Sequence, residues 1–273
     1  MSDSSAAPFP MSSTSSMSSM APIVATLRAA GCVFAEDEAR LLVSTAVDPA
    51  QLAAMVDRRV AGLPLEHVLG WAEFRGLRIA VDPGVFVPRR RTGFLVEQAV
   101  ALARPGAVVV DLCCGSGALG AAVTAEVAGV EVYAADIDPA AVRCARRNVA
   151  ADRVYEGDLY EPLPASLRGR IDVLIANTPY VPTEDIQLLP SEARIHEPRV
   201  ALDGGSDGLD VQRRVAAAAP DWLAPGGGLL VETSERQTAR TVEVFRTAGL
   251  RTRVVESEEL YATVVIGTRA ADG

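Results

Sequence analysis

Asn177-Thr178-Pro179-Tyr180 stands directly after the apolar run Ile171-Asp172-Val173-Leu174-Ile175-Ala176. An Asn at the carboxyl end of a predicted strand, followed by a pre-proline residue and an aromatic, can grip a planar NH2 group. The Asn side-chain oxygen accepts one N–H, the Thr178 carbonyl accepts the other, and Tyr180 packs against the plane. Thr178 precedes Pro179 and is pushed to an extended conformation, which helps fix where its carbonyl points. Alone, the tetrapeptide reads as a turn after a buried strand. A glycine loop upstream gives it a partner.

That loop is Val108-Val109-Val110-Asp111-Leu112-Cys113-Cys114-Gly115-Ser116-Gly117-Ala118-Leu119-Gly120. Three valines in a row read as a buried parallel strand, and 118–128 reads as the helix that follows. Gly115 to Gly120 spells the dinucleotide fingerprint G-x-G-x-x-G, with Asp136 about 20 residues further on. The same geometry suits S-adenosylmethionine: the glycines let backbone approach its amino-acid end, and the later acid holds its ribose hydroxyls. Asp111 favours this second reading. A carboxylate at the strand end helps anchor an ammonium group, directly or through water, whereas it repels a pyrophosphate.

These groups need a scaffold that brings strand ends together. Beyond Thr92 the pattern alternates strand and helix, with strands at 107–112, 131–135, 153–156, 171–176, 228–233, 251–255 and 263–268. Helices lie between them, including 139–150, 208–223 and 237–248. Such alternation implies a doubly wound α/β sheet with ligands at the carboxyl ends of its strands. Asp111, Asp136, Asp158 and Asn177 all fall at that edge. Ahead of this region, Ile23, Leu27, Ala39, Leu42, Met55 and Val60 recur at helical spacing, with a break at Gly31. Asp48-Pro49 reads as an N-cap and a first-turn proline. Residues 62–88 read as loop and short strands, and 1–19, rich in Ser, Met, Ala and Pro, as an unstructured tail.

Composition narrows the partners. Hydrophobic residues at 49% and charged residues at 22% describe a soluble globular chain of 273 residues. A net charge of −9 gives no general pull on nucleic acid or anionic membranes, and no run reaches a membrane span. Cys32, Cys113, Cys114 and Cys144 show no C-x-x-C pairing, so neither a metal site nor a disulfide framework is indicated, and a reducing, cytoplasmic setting fits. Cys113 and Cys114 read as small residues of a tight loop. His67 and His196 read as structural hydrogen-bonding residues rather than bases.

The chain resembles the protein-(glutamine-N5) methyltransferases, the HemK-type enzymes that modify release factors and a ribosomal protein. The resemblance runs over about 23–268. It includes Arg59-Val60-Ala61-Gly62-Leu63-Pro64, Gly70-Trp71-Ala72-Glu73-Phe74, Val85-Phe86-Val87-Pro88-Arg89, Arg194-Ile195-His196-Glu197-Pro198 and Ala201-Leu202. It implies a helical domain at 21–70, a β-hairpin linker at 71–90 and a class I, Rossmann-like seven-stranded methyltransferase domain at 91–273, after a tail at 1–20. By position, Cys113, Cys114, Gly115, Ser116 and Gly117 would form the cofactor loop and Asp136 the ribose ligand. Leu159, beside Asp158, would border the adenine, and Asn177 to Tyr180 would hold the glutamine amide of a protein or peptide.

Three departures stand out. The family's Asn-Pro-Pro-Tyr is Asn-Thr-Pro-Tyr here, which keeps the carbonyl at Thr178. Its Pro-Arg-Pro-acid-Thr-Glu becomes Pro88-Arg89-Arg90-Arg91-Thr92-Gly93, a triple arginine that reads as a solvated linker or a contact for an acidic partner. Its Asp-Leu-Gly becomes Asp111-Leu112-Cys113. The chemistry implied is direct methyl transfer to a glutamine side-chain nitrogen, with neither a metal nor a covalent intermediate. An alternative is an amino-methyltransferase acting on an exocyclic nitrogen of an RNA or DNA base, with Tyr180 stacking on a flipped base. The acidic balance argues against it. A nicotinamide-dependent oxidoreductase would need a hydride-transfer site that these residues do not supply.

Overall fold

The computed structural model describes residues 15–271. The chain divides between Leu69 and Gly70 into a small N-terminal unit and a large C-terminal one. Of the tail read as unstructured, residues 1–14 lie outside the described residues, while Ser15 already begins a helix. The expected start near Ile23 was late because helix extension past a formed nucleus needs no apolar periodicity.

The N-terminal unit holds α1 (Ser15–Ala29), α2 (Ala35–Thr45), α3 (Pro49–Val60) and α4 (Leu65–Leu69). Leu27, Ala39, Leu42, Met55 and Val68 meet at its centre, which accounts for their helical spacing. Asp48 caps α3, accepting from the Gln51 amide at 2.7 Å, and Pro49 takes the first turn as expected. Arg59 closes the unit by binding Glu38 at 2.6 Å and the Leu63 carbonyl at 2.9 Å.

In the C-terminal unit, β1 (Trp71–Phe74) and β2 (Leu77–Ala80) form an antiparallel hairpin. Phe74, Ile79, Val81, Val85 and Val87, read from the sequence as parts of a linker, lie in one core with Val109, Val173 and Ile175. They share it with the next helix, α5 (Gly93–Leu102). Then follow β3 (Val108–Leu112), α6 (Ala118–Glu126), β4 (Glu131–Asp136), α7 (Pro139–Ala145) and β5 (Val154–Glu156). The second half runs β6 (Ile171–Ala176), α8 (Ser191–His196), α9 (Asp210–Trp222), β7 (Leu223–Thr233), α10 (Thr238–Thr247), β8 (Arg251–Ser257) and β9 (Ala262–Thr268).

The seven strands form one sheet in the order β5-β4-β3-β6-β7-β9-β8, parallel except for β9, which runs antiparallel to both neighbours. Both faces are covered. Val109 joins the core on one face, while Val108, Val110 and Leu112 join the core on the other. That is why Val108, Val109 and Val110 read as an unbroken apolar run instead of an alternating one. Strand order reverses between β3 and β6, so the ligand crevice lies outside the carboxyl ends of these two strands.

Two boundaries differ from the sequence reading. α7 stops at Ala145, short of residue 150, because Asn148 is used as a strut. Its side chain binds the Ala80 amide and carbonyl and the Ser116 carbonyl at 2.8–2.9 Å, tying hairpin to glycine loop. β7 starts at Leu223, ahead of the Pro225-Gly226 turn signal, because Leu223 pairs with Ile171 across a register shift. Among the described residues, no helix is long and apolar enough to cross a membrane.

Candidate active site

Parallel register sets the site. Leu112 pairs with Ala135 and with Ala176, and Ala176 pairs with Val231. The next residue on each strand therefore makes a row along the carboxyl edge: Asp136, Cys113, Asn177, Glu232. Neighbours in such a row are about 4.8 Å apart. Asp136 and Asn177, distant in sequence, thus stand two strands apart with the glycine loop between them.

One half of this edge is built from the glycine loop. Gly115 and Gly117 have φ of +55° and +76°, and Gly117 leads into α6. A Cβ at Gly117 would meet Val149 at 3.0 Å and Ala145 at 3.2 Å, so this glycine serves packing against α7 and the turn after it. A Cβ at Gly115 would meet only Phe86, at 4.0 Å, leaving the loop open on its outer side. Cys113, where the resembling family has glycine, holds φ +55°, a left-handed conformation that favours glycine. Burial pushes the thiols of Cys113 and Cys114 well up, so both stay protonated and neither is a nucleophile at neutral pH.

Asp111 is fully buried, and its Oδ2 accepts the Gly120 amide at 3.0 Å while Oδ1 is buried with no partner. Burial, reinforced by Asp136 and opposed by the Gly120 N–H, pushes its pKa up to about 7. Asp136 accepts the amides of Gly115 at 2.8 Å and Asp138 at 2.9 Å, one on each oxygen. Burial raises its pKa while those two N–H groups work against the rise. Each oxygen keeps lone-pair capacity for a further donor. Asp158 follows β5 and binds Arg214 of α9 at 2.6 Å. Leu159 beside it has φ +52° and packs against the core. Ile137, 51% exposed after Asp136, adds apolar surface to this edge that the sequence reading passed over.

The other half is the tetrapeptide. Asn177 Oδ1 is buried and accepts no hydrogen bond, and Thr178 is 1% exposed with its hydroxyl also unpartnered. The hydroxyl of Tyr180 contacts Arg91 and lies 3.3 Å from Glu232 Oε1. Burial and the Glu232 charge push the Tyr180 pKa up to about 12, so it stays a neutral donor. The triple arginine is not a solvated linker throughout. Arg89 binds the buried Glu197 at 2.5 Å and Arg91 binds the buried Glu232 at 3.1 Å, while Arg90 is exposed.

A loop the sequence reading missed backs the tetrapeptide. The Gly204 amide donates to the Val181 carbonyl at 2.9 Å, and Gln237 Nε2 donates to the carbonyls of Tyr180 at 2.9 Å and Asp207 at 3.1 Å. The signal for it is Asp203-Gly204-Gly205-Ser206-Asp207-Gly208, a glycine cluster between α8 and α9. A Cβ at Gly204 would lie 2.6 Å from the Gly208 carbonyl oxygen and 2.7 Å from that of Pro179. Both obstacles are backbone and cannot swing aside. Gly204→Ala should therefore displace the tetrapeptide and lower kcat/KM by roughly 10–100-fold. Cofactor binding, measured by calorimetry, should stay close to that of the wild type, because the glycine loop is untouched.

Residues 76–206 match the methyltransferase small domain family. A release factor glutamine methyltransferase of Geobacter sulfurreducens is 40% identical over 74% of this chain and 73% of its own. One of Mycolicibacterium smegmatis is 41% identical over 82% of both chains. A methyltransferase structure from Pyrococcus furiosus superposes with a TM-score of 0.55 at 18% identity, covering 80% of this chain and 98% of that one. The sheet order and its edge define a class I methyltransferase, dependent on S-adenosylmethionine. The chain belongs to the release factor glutamine methyltransferase family.

Proposed function

We propose that the protein methylates the side-chain amide nitrogen of a glutamine in a protein, a release factor, with S-adenosylmethionine as donor. The observation that carries this reading is the buried, unpartnered Asn177 Oδ1 at the switch point, one strand from the glycine loop. A buried acceptor with no donor is costly, so a site that keeps one awaits an N–H. The unpartnered Asp111 Oδ1 and the open side of Gly115 fit the cofactor. Asp111 would face its ammonium group, Asp136 its ribose hydroxyls, and Leu159 and Ile137 its adenine. Cys113, Cys114, Ser116 and Gly117 would shape the loop around it, and Asp158, through Arg214, would hold Leu159 in place.

The bound cofactor supplies an electrophilic methyl on a sulfonium, and the protein's task is to present the nucleophile. An amide nitrogen is weak because its lone pair is delocalised into the carbonyl. Asn177 Oδ1 and the Thr178 carbonyl would each accept one N–H, turning the nitrogen towards the methyl and favouring charge build-up on it. On taking the methyl, the nitrogen would release one of its two protons to solvent, with Asn177 Oδ1 and the Thr178 carbonyl holding it in line throughout. Cytoplasmic work fits the thiols of Cys113, Cys114 and Cys144, none of which is in a disulfide.

The test is incubation of a lysate lacking this protein with the enzyme and methyl-labelled cofactor, then mass spectrometry of the labelled product. One methyl on a glutamine of a release factor is expected. Label on RNA or DNA would overturn the reading. Thr178→Pro should retain most activity, since it keeps the carbonyl and Thr178 Oγ1 makes no hydrogen bond to lose. A collapse of turnover in that variant would show that the hydroxyl is used.

A further inference from the structure

Arg91 links the segment before α5 to the acceptor half of the site through two contacts. Its Nε donates to Glu232 Oε1 at 3.1 Å, and its Nη2 donates to the Tyr180 hydroxyl. That hydroxyl lies 3.3 Å from the same Glu232 oxygen, so three side chains close a small ring of hydrogen bonds. The Glu232 side chain is 3% exposed and that of Arg91 is 47% exposed, so the contact runs from the buried sheet edge to the surface. Glu232 follows Asn177 in the edge row, on the side away from the glycine loop. Its Oε2 is buried without a partner, so this carboxylate depends on Arg91 and Tyr180.

We propose that Arg91 is a positioning residue of the acceptor site, clamping the Tyr180 hydroxyl against Glu232 and so fixing the Tyr180 ring beside the amide that Asn177 holds. The proposal rests on reading the tetrapeptide as the acceptor grip. A planar guanidinium can donate to two acceptors along one edge, which a lysine ammonium does not reproduce. A tie at the hydroxyl, which lies on the ring's long axis, fixes where the ring sits by stopping its swing about the Cα–Cβ bond. An acid in place of Arg91 would repel Glu232 and hold nothing.

The test compares Arg91→Lys, Tyr180→Phe and the double variant in the full-length protein, using the acceptor that the wild type labels. Each single variant should lose roughly 10–100-fold in kcat/KM, partly as a higher KM for the acceptor. The double variant should be no worse than the weaker single, because both changes break one clamp. Affinity for S-adenosylhomocysteine should stay within about twofold. Should the shorter, unforked lysine fail to reach Glu232 and leave the protein unfolded, Arg91→Gln combined with Glu232→Gln removes both charges and should show the same loss in a folded protein. Losses that multiply in the double variant, an equal loss of cofactor affinity, or full activity of Arg91→Lys would each overturn the clamp. Label on nucleic acid overturns the proposed glutamine acceptor instead, and the same comparison run on that acceptor still decides the clamp.

Discussion

Asn177→Ala is expected to lower kcat by roughly 10²-fold or more, while affinity for S-adenosylhomocysteine changes far less. The asymmetry follows from where the residue stands. Asn177 is opposite Cys113 on one side and Glu232 on the other, at the border between the two halves of the site. Its Oδ1 carries no internal hydrogen bond, so the Ala variant strands no protein donor and folding has little to lose. On the proposed reading, what would disappear is an acceptor for the substrate's N–H. The amide would then be held by the Thr178 carbonyl alone and could rotate its nitrogen away from the methyl. Turnover on a glutamine peptide, read by mass spectrometry, and cofactor affinity, read by calorimetry, separate the two effects. A variant as fast as the wild type would remove the tetrapeptide from the mechanism.

Residues that act through chain-local signals are legible in the sequence. Asp111, Gly115, Gly117, Asp136 and Asn177 each sit at or just past the end of an apolar run, and parallel register alone carries Asp136 and Asn177 into one row. Asp48 announces its cap by standing before Pro49. Residues that act through long-range pairing are not legible. Arg91 and Glu232 are far apart in sequence, and nothing local says that an arginine in a basic triplet will find a carboxylate at the end of β7. Gln237 looks like the start of a helix, yet its amide holds the Tyr180 carbonyl. The core that the hairpin joins is illegible for a related reason. Its alternation is visible, but sharing a core with β3 and β6 depends on Phe74 and Ile79 meeting Val109 and Val173, which only the fold brings about.

Cofactor binding should weaken about tenfold as the solution is taken from about pH 7 to about pH 5.5, through protonation of Asp111. Burial pushes its carboxyl up to about 7, so in the ligand-free protein a proton competes for it below neutrality. An unfolded Asp titrates near 3.9, so the native state binds the extra proton between that value and about 7. The sign for stability follows: the ligand-free protein loses stability as pH rises through this window, because the unfolded chain can ionise Asp111 there while the buried native carboxyl stays protonated. An ammonium group beside Asp111 reverses the preference by favouring the carboxylate. Binding below about pH 7 must therefore release a proton, and calorimetry in buffers of different ionisation heat measures it directly. Asp111→Asn keeps the shape and cannot ionise. It should bind S-adenosylhomocysteine more weakly than the wild type near neutrality, and most of the wild type's affinity change between these pH values should vanish. The raised carboxyl of Asp136 accounts for what remains, since it survives in the variant. If Asp111→Asn kept the full pH dependence, the proton would belong to Asp136, and Asp111 would serve only to fix the Gly120 amide at the start of α6.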